Sequence, residues 1–417
     1  MSAAPAVADR FQEPPISYDT RPAVNPAAHL LEALTAGTAQ LAQDPQFGYL
    51  KAVLAYLKVP VESQTLVFSK TSLQQQYITP NNPRAIYFND DIYVGAVPGS
   101  GLIEISAADP DLGAVFYSLD QHKTGPPAML RQGDNCLQCH GASLTGGIPG
   151  HMVRSVFTNA EGYPILKAGT HVTTQASPFA ERWGGWYVTG THGSARHMGN
   201  SLAVETDLEA MLDREAGANL LSLPPRVNAA NYLSAHSDIV ALMVLEHQTV
   251  MHNLITRASY DTRFALQDQA VMDELLQRPA GELGESTLRR IASAGGRLVD
   301  HLLFADEVPL EAPVSGTSGF TEYFAAQGPR DRDGRSLRDF DLQTRMFKYP
   351  CSYLIYSPQF DGLPKEMKDW VYQRLYTILS GHDDRKKDYR LSIPQRKAIR
   401  EILADTKPGL PTYWQGR

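Results

Sequence analysis

Cysteine is scarce in this chain, with three in 417 residues. Charge of one sign is scarce too. The formal net charge is −7, too mild and of the wrong sign to supply the basic face that nucleic acid requires. No run of about 18 apolar residues exists, so no membrane span is expected. The opening Met1-Ser2-Ala3-Ala4-Pro5-Ala6-Val7-Ala8 has neither a basic nor an apolar stretch and is not an intact signal peptide. No internal repeat is found.

What is present describes an ordinary globular protein. Apolar residues make up 43% and charged residues 20%, enough to bury a core. A chain of 417 residues suffices for two or three domains, or for one large domain with insertions. Two of the three cysteines fall in Cys136-Leu137-Gln138-Cys139-His140. This is the attachment spacing of a c-type haem, in which each thiol forms a thioether to a vinyl group. The adjacent imidazole becomes the proximal iron ligand. A structural zinc site needs four ligands, and Cys351 stands alone with no second pair. A thioredoxin-like dithiol needs a βαβ context, whereas the residues before Cys136 read as turn material. The expectation is one covalent haem c. Because haem is attached outside the bacterial cytoplasm, it is a periplasmic chain whose signal has been removed. Cys351 then lacks a disulfide partner, and between Tyr349 and Tyr353 it reads as an inert small hydrophobe.

The pattern along the chain predicts an α+β protein. A β-rich section carries the haem, and helices from the N- and C-terminal parts cover it; this is not a minimal cytochrome c. Residues 1–60 read as an extended arm and two helices, residues 61–204 as the β-rich section and residues 205–417 as mainly helical, all packed into one unit. Short β-branched and aromatic runs at 65–68, 85–88, 92–94, 102–105 and 114–117 predict an antiparallel meander. A hairpin pairing 152–157 with 164–167 and a strand at 183–189 follow. Helices are expected at 237–258, 266–278, 284–304, 363–380 and 394–405, with a loop over 306–345. The runs 330–335 and 382–388 alternate in charge and read as solvated loops.

Several strings carry a resemblance: Gln64-Thr65-Leu66-Val67-Phe68-Ser69-Lys70-Thr71-Ser72, Arg84-Ala85-Ile86-Tyr87-Phe88-Asn89-Asp90 and Trp183-Gly184-Gly185-Trp186-Tyr187-Val188-Thr189-Gly190. Glu246-His247-Gln248-Thr249 and Tyr349-Pro350-Cys351-Ser352-Tyr353-Leu354-Ile355-Tyr356 join them. Together they are similar to a family of large bacterial single-haem cytochrome c domain proteins over nearly the whole chain. The resemblance implies haem attachment at Cys136, Cys139 and His140, and no particular reaction.

The rest of the iron site must be read from residues. Pro149 lies nine positions after His140, and its carbonyl is the candidate acceptor for the second imidazole N–H. Residues Ile239 to Leu245 are all apolar, so the helix carrying them is expected to be central. Glu246, His247 and His252 project from it and are the candidate acid/base groups, because an ionisable side chain in such a place needs a partner. Candidates for the sixth iron ligand are His192, His197, Met198 and His247. His29, His122, His301 and His382 read as surface or helix-face residues. Trp183, Trp186 and Tyr187 pack on a porphyrin or, as aromatics in strands do more often, in the core. Arg154, Arg196 and Arg257 are candidate cations near the iron.

A simple electron carrier needs roughly 100 residues, and this chain is about four times that size. The reading is therefore a periplasmic haem oxidoreductase acting on oxygen, peroxide or another small redox molecule, with a redox partner protein possible. The alternative is a non-enzymatic electron-transfer cytochrome or haem-based gas sensor. A third reading places a second metal on His192, His197, His247 or Glu246.

Overall fold

The computed structural model describes residues 7–121, 127–205, 210–279, 281–383 and 389–415. His122 and residues 384–388 lie outside them. A short turn of helix at Val7–Gln12 leads to α1 (Pro26–Thr35). Proline at the first helical position and the Asn25 side chain, which accepts from Ala28 N at 2.9 Å, start that helix. After α2 (Leu50–Tyr56) come β1 (Thr65–Val67), β2 (Arg84–Phe88), β3 (Ile92–Ala96), β4 (Leu102–Asp109), β5 (Gly113–Asp120) and β6 (Ala128–Gln132). Then α3 (Asp134–His140) carries the two cysteines and His140. Short strands β7 (Arg154–Val156), β8 (Thr170–Val172), β9 (Trp186–Tyr187), β10 (Ala203–Glu205) and β11 (Ala210–Leu212) follow. The remainder is helical: α4 (Ile239–Leu275), α5 (Glu285–Leu302), α6 (Phe320–Ala326), α7 (Pro358–Asp361), α8 (Lys365–Leu379) and α9 (Ile393–Thr406).

The main sheet has seven strands in the order β6-β5-β4-β3-β2-β1-β9. Every neighbouring pair is antiparallel. Side chains alternate across it, and its two faces have different fates. Leu66, Tyr87, Val94, Ile105 and Tyr117 point to one face and share a core with Leu30, Val53 and Leu54 of α1 and α2. On the opposite face, Val67, Phe88, Tyr93 and Trp186 join the larger core built on α4. Further along that second face, Glu104, Ser118 and Gln132 are only half-buried. Leu130 there is 58% exposed. The helices thus leave part of this face uncovered.

The segregation of strands and helices agrees with the sequence, and the five meander strands fall where their β-branched runs lie. Four expectations fail, in whole or in part. The residues just before α3 are not all turn: Ala128–Gln132 pairs with β5 as an edge strand. The hairpin expected between 152–157 and 164–167 holds near its turn, where Thr158 bridges Pro164 antiparallel and Ile165 N donates to Phe157 O at 2.8 Å. Beyond it, Leu166–Ala168 forms a helical turn and β7 pairs with Thr170–Val172. The two helices expected at 237–258 and 266–278 are one helix of 37 residues, since no glycine or proline interrupts 259–265. The span 306–345 contains α6, whose Phe320 and Phe324 are buried against α4 and its neighbours.

Candidate functional site

Cys136, Cys139 and His140 share one short helix that follows an edge strand directly. Both thiols are free; Cys136 is half-buried and Cys139 exposed. Partial burial pushes the Cys136 thiol up to about 11, with Glu104 raising it further and Arg84 lowering it. At neutral pH it is therefore a thiol rather than a thiolate.

His140 is clipped to a single residue. Its Nδ1 lies 2.8 Å from the carbonyl oxygen of Gly150, and its own carbonyl accepts from Gly150 N at 2.8 Å. Since a carbonyl only accepts, Nδ1 carries the proton, and Nε2 keeps its lone pair. Burial pulls the imidazole below its usual value, which keeps it neutral, the form a metal requires. The carbonyl expected to do this was Pro149's. That oxygen instead accepts from Ala114 N at 3.1 Å, which pins the loop to β5, and the acceptor is the next residue.

Helix α4 holds this loop from behind. Asn253 Oδ1 accepts from His151 N at 2.9 Å, and Asn253 Nδ2 donates to His151 O at 2.7 Å. Arg257 donates to Gly146 O at 2.9 Å. The sequence reading missed Asn253, because an asparagine on an apolar helix carries no chemical signature of its own. Its signal was the one available for Glu246: a polar group on a buried helix must find a partner.

On the other side, His140 meets the half-covered sheet face. Phe116 of β5 lies 4.8 Å from it between ring centroids. Arg84 of β2 and Glu104 of β4 pair at 2.6 Å and act electrostatically on both Cys136 and His140. The pair passes over Gly95 of β3, where any Cβ would come 2.4 Å from the Arg84 guanidinium. Neither Arg84 nor Glu104 was foreseen. The Arg154 guanidinium donates to the Thr170 hydroxyl, and Arg196 pairs with Glu215.

The other candidate residues lie elsewhere in the molecule. Glu246 is fully buried and forms an ion pair with the buried Arg182. Its second oxygen accepts from Trp183 Nε1 at 3.0 Å. Burial pushes its carboxyl up to about 7, with Arg182 and Trp183 opposing. His247 Nδ1 donates to Gln175 Oε1 at 2.7 Å, and its Nε2 accepts from Ser352 Oγ at 2.8 Å. His301 and Phe304 stack against its ring. His252 Nδ1 and Nε2 lie 2.7 and 2.8 Å from Gln359 Oε1 and the Asp90 carbonyl.

His192 donates from Nδ1 to Ala195 O at 2.8 Å, and its Nε2 accepts from Asn219 N at 2.9 Å. His197 is buried beside it, and neither ring nitrogen has a hydrogen-bond partner among the described residues. Met198 is buried, with its sulfur 3.6 Å from Ser155 Oγ. Trp183, Trp186 and Tyr187 are all core. Cys351 is buried, and its thiol is pushed up to about 12. Among the described residues no three His, Cys, Asp or Glu side chains converge to hold a metal. No helix among them is long and apolar enough to cross a membrane.

No family model, curated protein or solved structure matches the chain. The similarity to single-haem cytochrome c domain proteins therefore rests on the residue strings alone.

Proposed function

We propose that this chain is a periplasmic redox protein that holds one haem c through thioethers at Cys136 and Cys139, with His140 as proximal ligand. The observation that carries the reading is the geometry of His140. A neutral imidazole, with its Nδ1–H fixed on a backbone carbonyl and its Nε2 free, is what a haem iron asks of its ligand. The neighbouring thiols are unpaired, and one is open to solvent. The uncovered sheet face with Leu130, Ser118 and Gln132 offers adjacent surface for a flat apolar group. Haem, when bound, supplies one-electron redox chemistry. The protein's own part is to fix the His140 tautomer through Gly150 and Asn253, and to place the Arg84–Glu104 pair beside the site.

Within that reading the chain is an oxidoreductase acting on a small molecule. The proposal rests on the mass of protein surrounding one attachment helix, and on side chains that a plain carrier would not need. The test is maturation in a periplasm that attaches haem, followed by extraction with acid acetone. Haem that stays with the polypeptide, and is lost when Cys136 and Cys139 are both replaced by Ala, supports it. Haem that washes out, or an absent haem spectrum, overturns it. A ferrous spectrum that shifts on adding CO supports an exchangeable sixth position and hence an enzyme. A spectrum indifferent to CO turns the reading to an electron carrier.

A further inference from the structure

A cavity of about 260 Å³ opens at the β2–β3 turn. Its walls include Phe88, Asp91, Gln248, Phe320, Tyr323 and Arg338. Arg338 does not offer a free charge. It pairs with Asp90, and its guanidinium lies against both Phe324 and Tyr353, at 4.5 and 4.4 Å from their ring centroids. The Gln248 amide is likewise committed: Nε2 to Asn89 O and the Tyr93 hydroxyl, Oε1 to the Tyr353 hydroxyl. Two buried groups of the lining remain with no hydrogen-bond partner among the described residues, the acceptor Asp91 Oδ1 and the donor Arg338 Nε. Burial without a hydrogen bond disfavours such groups, and a ligand that supplies the missing partner relieves that cost. A cavity with Phe88, Phe320, Tyr323 and Phe324 on one part of its wall and polar side chains on the rest, holding an unpaired acceptor and an unpaired donor, fits a flat ring that carries hydroxyl groups, which both donate and accept.

The cavity is also connected to the attachment helix. Cross-strand register places Phe88 opposite Tyr93, Tyr93 opposite Ser106, and Ser106 opposite Phe116. These four residues form a row across β2, β3, β4 and β5 on one sheet face. Serine is the gap in the row, and His151 fills it, with its Nε2 2.7 Å from Ser106 Oγ. The His151 ring lies 4.4 Å from Tyr93 and 6.0 Å from Phe116. Phe116 in turn is 4.8 Å from His140, and Tyr93 is 6.4 Å from Phe88 in the cavity wall. An unbroken series of ring contacts thus runs from the cavity to His140, the residue that follows Cys139.

We infer that this cavity binds a small dihydroxyaromatic molecule of the hydroquinone class, and that the row Phe88–Tyr93–His151–Phe116–His140 carries its electrons to the haem. The binding half stands on the cavity alone; the electron's destination rests on the haem proposed above. The ring of the molecule lies against Phe88 and Phe320, and one hydroxyl donates to Asp91. Each oxidation step sends one electron along the row to the haem held at α3 and one proton to the Asp91 carboxylate and thence to water. Because one haem takes one electron, the second oxidation draws on the haem of another chain, or on the same haem after an external one-electron acceptor has re-oxidised it. Two such steps convert the diol to the quinone, with no bond between heavy atoms made or broken.

Resorcinol, the isomer that cannot form a quinone, probes binding without redox chemistry. Calorimetric titration should show one saturable site per chain, weakened at least tenfold in Asp91→Leu. Absence of saturable binding, or equal affinity in the variant, overturns the cavity assignment whether or not haem is present. Anaerobic mixing of the ferric protein with hydroquinone should then reduce the haem at a rate that saturates. Tyr93→Leu and His151→Leu, each of which removes a ring from the row, should each slow that rate at least tenfold while resorcinol affinity holds, which also reports that the variant is folded. An unchanged rate in both variants overturns the electron route. A protein that binds resorcinol yet shows no haem spectrum overturns the haem reading and leaves the cavity assignment standing.

Discussion

Replacing Arg182 by Met tests whether the polar groups on α4 are structural. The guanidinium is buried, and it donates to Glu246 Oε1, to Ser177 O at 3.0 and 2.8 Å, and to Gln175 O at 3.2 Å. Methionine fills much of the same volume and supplies none of these donors. Glu246 would keep only Trp183 Nε1, and two carbonyls would lose their donor. Removing one partner of a buried pair costs about 3–5 kcal/mol. At about 2.1 cal/mol/K per residue, 417 residues give an unfolding entropy of about 0.9 kcal/mol/K. The melting temperature should therefore fall by roughly 3–6 °C. Urea unfolding at pH 7.5 and scanning calorimetry measure both quantities. The double variant Arg182→Met/Glu246→Leu should recover much of the loss, because an apolar replacement of both partners leaves no buried charge. A single variant that loses less than about 1 kcal/mol, or a double variant no better than the single, refutes the reasoning.

Asp238 should be the most costly cap to remove. Its Oδ1 accepts from Val240 N and Ala241 N at the start of α4, and its Oδ2 accepts from Thr317 N, Ser318 N and Ser318 Oγ. Asp238→Ala should cost about 2–4 kcal/mol in urea unfolding, since it removes a cap and also orphans loop donors. Gly150→Ala should cost about 1–3 kcal/mol by overpacking, because the new Cβ would come 2.4 Å from Asn253 Oδ1. In an Asn253→Ala background the same change should cost much less, a coupling that a double-mutant cycle reads directly. The Asp91 carboxyl is pushed up to about 7 by burial, with Asp90 adding to the rise and Arg338 opposing it. A carboxyl raised in the folded state binds a proton there that the unfolded chain has already released, so stability is lost as pH climbs from about 4 to about 7. Asp91→Asn should be the more stable protein at pH 8, and its advantage should shrink by about 2 kcal/mol at pH 5.

Strand positions were legible because the period-two pattern and the turn residues agree over residues 65–117. Strand β6 was not, since its exposed Leu130 and polar Gln132 give an edge strand no apolar alternation to read. The spacing of Cys136, Cys139 and His140 was legible in the sequence because it is local, five consecutive positions. The partners of the buried ionisable groups were not. Arg182 lies 64 positions from Glu246, and Ser352 lies 105 from His247. A single sequence gives no means of pairing residues so far apart. The helical pattern did show that α4 is central. It could not show which of its polar residues hold the loop after α3, and those residues are Asn253, bonded to the His151 backbone, and Arg257, bonded to Gly146 O.

The contrast between two buried histidines yields a last prediction. His247 has both nitrogens satisfied, by a carbonyl-type acceptor and a hydroxyl donor, and none of the residues bonded to it touches His140. Replacing it by Leu strands Gln175 Oε1 and takes the acceptor from the Ser352 hydroxyl hydrogen, although Ser352 Oγ still accepts from Leu354 N; each lost bond at a buried group costs about 1–3 kcal/mol. It should therefore lower stability by roughly 2–5 kcal/mol and leave the surroundings of His140 as they were. His151 has only one nitrogen bonded, and its Nδ1 is buried without a partner among the described residues. Removing it strands only the Ser106 hydroxyl, which is itself 8% exposed. His151→Leu should thus cost less than His247→Leu, while shifting the ring-proton NMR signals of His140 and Phe116, the neighbours on its row. The reverse pattern, with His247→Leu moving the His140 resonances and His151→Leu leaving them fixed, would return His247 to the site and make the ring row an ordinary piece of core.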